Sequence, residues 1–138
     1  MQTFLPYSDF TKSAQVLDMR RLGKQRVEVL QILRVLHGES SGWQYHPAVL
    51  MWNGYSQALV YYGIAICNEW IERGYRDICQ IRIAGYHNYR IVHKNPPWLG
   101  DEKFHSSHRA ALLFKKPEYY SQFGWTEKPE INYYWPMF

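Results

Sequence analysis

Between Lys24 and Leu36 apolar residues recur every three or four positions, Val27, Leu30 and Leu33 along one line and Val29, Ile32 and Leu36 along the next. That spacing makes a broad apolar stripe on a helix and does not fit the two-residue alternation of a half-buried strand. The segment predicts a buried helix, and whatever else the chain forms must pack against it. Its beginning is crowded with charge. Arg20, Arg21, Lys24 and Arg26 put four cations in seven residues, and a single carboxylate, Glu28, comes next. An acid among cations at the start of a buried helix suggests a site that grips phosphate and moves protons.

The remaining pattern is helical as well. Ser8 is a good N-cap, and Phe10, Ala14 and Leu17 predict a short helix from about residue 9 to 19. Gly23 marks a break or a bend, and Gly38 ends the long helix. His46-Pro47 suits a helix start, Gly54 divides the apolar pattern from Val49 to Trp70 in two, and Gly74 stops it. Residues 75–100 are ambiguous. Ile78, Ile81 and Ile83 fit a helix or a short strand, whereas Asn95-Pro96-Pro97 excludes helix. Asp101 or Ser106 caps a further helix through Leu113, Pro117 opens a last short one that closes at Gly124, and Ile131 to Phe138 reads as an extended strip. The expectation is an all-α fold: a compact single-domain helical bundle of four to five helices over residues 1–138, with a long loop near residues 84–100.

Several classes are excluded. The chain has 138 residues, 12 Tyr and 6 Trp, which is too much large apolar side chain for a disordered protein and enough for a core without metal or disulfide staples. No apolar run approaches the ~20 residues a membrane span needs. Cys67 and Cys79 allow at most one bridge. With no signal peptide ahead of them they read as reduced thiols in a cytoplasmic protein. The net charge of +4 is modest, but its distribution is not even: Arg20 to Arg34 holds five cations and one acid. Such clustering fits a phosphate-binding face, and equally a set of solvated helix faces.

Three groups of residues could carry chemistry. Lys24 and Glu28 share a helix face, either as an ordinary ion pair or as an amine able to form a Schiff base beside a proton-transfer acid. Arg20, Arg21 and Arg26 are suited to bidentate phosphate contacts. His105 and His108 share a face of the later helix with Ser106, Ser107 and Arg109 nearby. Without a third ligand at a recognisable spacing they fit phosphate contact better than metal, and neither metal nor cofactor is expected. In the long loop, Tyr86, His87 and Arg90 interleave aromatics with a cation, a pattern that stacks on bases while holding the backbone, or that merely packs. Trp43-Gln44-Tyr45-His46 offers another exposed aromatic edge, whereas Tyr119-Tyr120 and Tyr133-Tyr134-Trp135 read as packing.

Three stretches, in this order, resemble the pyrimidine-dimer DNA glycosylase family, typified by the phage endonuclease V: Leu17 to Val27 with its arginine-rich turn, Glu69-Trp70-Ile71-Glu72-Arg73-Gly74-Tyr75, and Lys116-Pro117-Glu118-Tyr119-Tyr120 before Gly124. The resemblance implies a compact helical enzyme acting on double-stranded DNA that contains a damaged base. In the family an N-terminal α-amine attacks the deoxyribose C1′, the base leaves, an imine forms, and β-elimination nicks the strand. A glutamate near the arginine-rich turn assists. Carried onto this chain, the nucleophile is the amine of Met1, with Lys24 as a substitute, and Glu28 is the acid/base. The family glutamate directly follows an arginine, whereas here Glu28 stands two residues after Arg26. Residue 2 is Gln, too bulky for the usual removal of Met1. A monomer is expected, and the alternative is a non-catalytic DNA-binding module on the same scaffold.

Overall fold

The structure, a computed structural model, describes residues 1–136. Among them there are seven α-helices and no strand: α1 (Phe10–Val16), α2 (Met19–Leu36), α3 (Pro47–Leu50), α4 (Ser56–Glu72), α5 (Cys79–Ala84), α6 (Glu102–Lys115) and α7 (Pro117–Tyr120), the last running into a 3₁₀ turn at Ser121–Phe123. The all-α expectation holds, with more helices than four to five. The short turns opened by Pro47 and Pro117 stand where expected, and counting them as separate helices together with α5, in the stretch that read as ambiguous, takes the number past five. Residues 85–101 form the long loop between α5 and α6.

Gly23 does not break α2. The carboxylate of Asp18 accepts from the Arg21 amide and starts the helix five residues earlier, and it runs about 27 Å without interruption. The glycine is there for contact. A Cβ at Gly23 would lie 2.9 Å from the Trp70 ring on α4. Gly63 on α4 is the reciprocal notch, where a Cβ would lie 2.6 Å from Val29 on α2 and 3.0 Å from Ile83 on α5. These two notches let α2, α4 and α5 close on one another, with α1 also against α4. The seam holds Leu22, Val29, Ile32, Leu59, Ile66 and Ile83, all fully buried.

Other boundaries obey their local signals. Gly74 takes φ 94° just past α4 and stops it, Asp101 caps α6 through the Lys103 amide, and His46 caps α3 through the Ala48 amide. The tail lies without regular structure from Ile131 to Pro136, and the last two residues of the expected strip, Met137 and Phe138, fall outside the described residues. Both cysteines are free and buried. No helix of the described residues is long and apolar enough to cross a membrane.

Candidate active site

The first residues are not a loose end. Gln2 to Pro6 are buried and without regular structure, threaded between α2, α4 and α6. A buried strip outside any helix must find partners for its amides and carbonyls elsewhere, and here side chains supply them. Gln25 is the central clamp. Its Nε2 donates to Gln2 O at 2.8 Å and to Glu28 Oε2 at 3.0 Å, and its Oε1 accepts from Phe4 N at 2.9 Å. Tyr62 Oη lies 2.6 Å from Phe4 O and 2.8 Å from Gln25 Oε1, its one proton shared between them. Further along, Leu5 N donates to His108 Nδ1 at 2.9 Å, His105 Nδ1 donates to Leu5 O at 2.7 Å, and Arg109 donates to Pro6 O at 2.7 Å.

This threading brings the chain start to Glu28. The Gln2 amide donates to Glu28 Oε2 at 3.3 Å, and Lys24 Nζ stands 3.6 Å from Oε1. Glu28 itself is only 6% exposed. Above it opens a cavity of about 580 Å³, lined among others by Met1, Arg20, Arg21, Lys24, Lys115 and Tyr133. Five side-chain cations (those four with Lys116) face three carboxylates, Asp18, Glu28 and Glu118. Helical phase explains the grouping. Arg21, Lys24, Gln25 and Glu28 follow the i, i+3, i+4, i+7 rule on one face of α2.

Burial works to raise the Asp18 carboxyl, yet hydrogen bonds from Tyr120 and Arg21 outweigh it and hold it below the ordinary aspartate range. Lys115 goes the other way. Partial burial and the charges of Arg21 and Lys24 pull its ammonium below the usual lysine value. His46 is lowered by burial and by the Met1 amine, with Glu28 opposing.

Several expected site residues lie elsewhere. Arg26 is turned about 200° round the helix from Lys24. It pairs with Asp77 at 2.6 Å and lies over the Trp70 ring at 4.3 Å, so it pins α2 to the α4–α5 connection instead of facing phosphate. Arg109 donates to Glu127 at 2.9 Å, to Glu102 and to Pro6 O, which occupies its guanidinium. His105 and His108 are buried in the core. Burial lowers both rings, His108 to about 3 with His105 adding to the effect. Neutral rings inside the fold cannot contact surface phosphate; they hold the N-terminal strip. Ser106 and Ser107 donate to Glu127 and to Phe104 O. Tyr86, His87 and Arg90 line a second cleft with His37 and Glu39, at the opposite end of α2 from the Arg20–Arg21 end. Among the described residues no group of three or more His, Cys, Asp or Glu gathers as a metal site.

Sequence reasoning missed Gln25, Tyr62, Lys115 and Tyr133. Only Gln25 had a local signal, a glutamine on the apolar side of the stripe. The others reach the site from α4, the end of α6 and the tail.

The helices hold the segment from Met1 to Pro6 against a buried glutamate, beside a cavity rich in cations whose charge suits an anionic ligand. The chain belongs to the pyrimidine dimer DNA glycosylase family, whose model matches residues 1–83 and so takes in Met1, Arg20, Arg21, Lys24, Glu28 and α1 to α4, but not Lys115, Lys116 or Tyr133. No curated protein and no solved structure matches it.

Proposed function

We propose that the chain is a DNA repair N-glycosylase with AP-lyase activity that excises damaged pyrimidines, cyclobutane dimers being the leading substrate. The observation that supports this reading is the hydrogen bond from the Gln2 amide to the buried Glu28 carboxylate, with Met1 and Glu28 both lining one cation-rich cavity. The Met1 amine attacks C1′ of the damaged nucleotide, the base leaves, and the resulting imine supports β-elimination of the 3′ phosphate. Glu28 takes and returns the protons. Arg20, Arg21 and the lysines of the cavity hold the phosphates of the distorted strand. An α-amine loses its proton more readily than a lysine side chain, which favours Met1 over Lys24 as the nucleophile. Lys115, its ammonium already weakened, is a further amine within the cavity.

Borohydride added to folded protein with dimer-containing or abasic duplex tests the chemistry. The expected result is a covalent protein–DNA adduct whose peptide map places it on Met1. An adduct on Lys24 or Lys115 reassigns the amine. No adduct and no nicking, with salt-dependent DNA binding intact, leaves a non-catalytic DNA-binding module.

A further inference from the structure

One exposed residue carries strain that the core does not require. Trp43 has φ 66° and stands alone among the described non-glycine residues in the left-handed region. A Cβ crowds the backbone there, so bulky residues rarely adopt it. Gly42, which would take that conformation freely, is the residue just before. The indole is 61% exposed, so burial does not compensate the strain. Strain of this kind gathers at ligand-binding positions.

The position of Trp43 says which ligand. Its ring meets His46 edge-on, with centroids 5.7 Å apart. His46 meets Trp135 at 5.9 Å, and Trp135 meets Tyr133 at 5.7 Å. Tyr133 lines the cavity of Met1 and Glu28. Four rings therefore run from the cavity wall out to solvent and end at the indole. The row is anchored, because His46 Nδ1 accepts the Ala48 amide and the His46 amide closes the turn onto Trp43 O at 2.9 Å.

We propose that Trp43 is a base-stacking residue, whose indole lies against a nucleobase that has left the duplex stack beside the damaged position. The inference rests on the DNA reading above. A strand drawn into the cationic cavity must unstack near the lesion to expose its sugar. An exposed indole at the outer end of this row, beyond the cavity wall, accepts whichever base is released, because every base has a flat π-face. Trp43 acts in binding and does not touch the bond that breaks.

The test uses the full chain and a duplex carrying a tetrahydrofuran abasic analogue with 2-aminopurine opposite it, which needs no chemistry to bind. Wild type, Trp43→Ala, Trp43→Gly and Trp43→Phe are compared by anisotropy and by 2-aminopurine emission. Trp43→Ala and Trp43→Gly are expected to weaken binding to the abasic duplex roughly tenfold, with affinity for intact duplex unchanged. Trp43→Phe restores most of the loss. Emission from the bound probe is lower in wild type than in Trp43→Ala, because the indole quenches the stacked base. Trp43→Gly also raises the thermal midpoint by releasing the left-handed strain, so its weaker binding cannot be misfolding. Equal affinities across the four proteins, with wild type still preferring the abasic duplex, overturn the inference alone. Self-association that Trp43→Ala abolishes without change in DNA affinity also overturns it and makes the indole a contact between copies. A wild type with no preference for the abasic duplex overturns the DNA reading and this inference with it.

Discussion

Mild acid should loosen this protein before its carboxylates titrate, and His108 sets the slope. The imidazole is fully buried against the rings of Phe4, Phe104 and Tyr133, and its Nδ1 accepts the Leu5 amide proton. The folded ring is therefore neutral, with burial and then His105 pushing it down to about 3. In the unfolded chain the same ring ionises near 6.5. Between those values the unfolded state holds the extra proton. Stability that is fully present above pH 6.5 is lost as pH falls, by about a factor of ten in the folding equilibrium per unit. From pH 6.5 to 4.5 that amounts to about 3 kcal/mol, a large share of a typical domain's stability. His105 is shifted the same way by burial and adds to the slope. Asp18 and Asp77, held low by their hydrogen bonds, contribute a further loss only as pH falls below the ordinary aspartate value. The assay is urea unfolding followed by far-UV circular dichroism from pH 7.5 to 4.5, on wild type and on His108→Asn. Asparagine keeps an acceptor for the Leu5 amide but has no titrating group. It should cost about 2 kcal/mol at pH 7.5 through lost ring packing and give a shallower decline with acid. A wild-type midpoint that stays flat across the window, or the same slope in both proteins, refutes the buried-neutral argument.

Glu28→Gln keeps the acceptor for Gln2 and Gln25 and removes the charge, so nicking of dimer-containing duplex should fall by about 100-fold or more with DNA affinity preserved. A parallel loss of binding would make Glu28 a structural group. Arg20→Ala should lower the slope of log affinity against log salt by about 1. Arg26→Ala should leave that slope alone but cost about 2 kcal/mol, since Asp77 loses its charged partner and keeps the Cys79 and Gln80 amides; a matching change in salt slope would return Arg26 to the DNA face. Gly63→Ala, ordinarily a gain of up to about 1 kcal/mol in a helix, should instead destabilise by about 1–3 kcal/mol because the new methyl meets Val29 and Ile83. Chemical denaturation decides the sign.

Local signals were enough for most of the helices. Asp101, His46 with Pro47, Gly74 and Pro117 act through their own turn of backbone, and the period of the α2 stripe needs only its own residues. The same locality made Gly23 misleading. Its purpose is the ring of Trp70, 47 residues away in sequence, and nothing within α2 announces it. Residues 75–100 stayed ambiguous because α5 is short and its helical state is settled by Ile83 packing into the α2–α4 seam.

The cation-rich segment shows the same division. By itself the sequence determined that α2 is a buried amphipathic helix and that Lys24 and Glu28 share one face, because 100° per residue is a property of the backbone; Arg21 joined them only because the helix runs unbroken through Gly23 from Met19. It also determined that a cluster of that charge suits an anionic partner. Tertiary structure alone decided which cations are free. Asp77 takes Arg26 and the two glutamates take Arg109, while Arg20 stays at the exposed rim of the cavity. It also decided that His105 and His108 serve the N-terminal strip, that Lys115 and Tyr133 complete the cavity from distant parts of the chain, and that the first residues lie against Glu28. The reason is desolvation: a charged or polar group removed from water must find a partner, and which partner lies in reach is set by the packing of helices far apart in sequence.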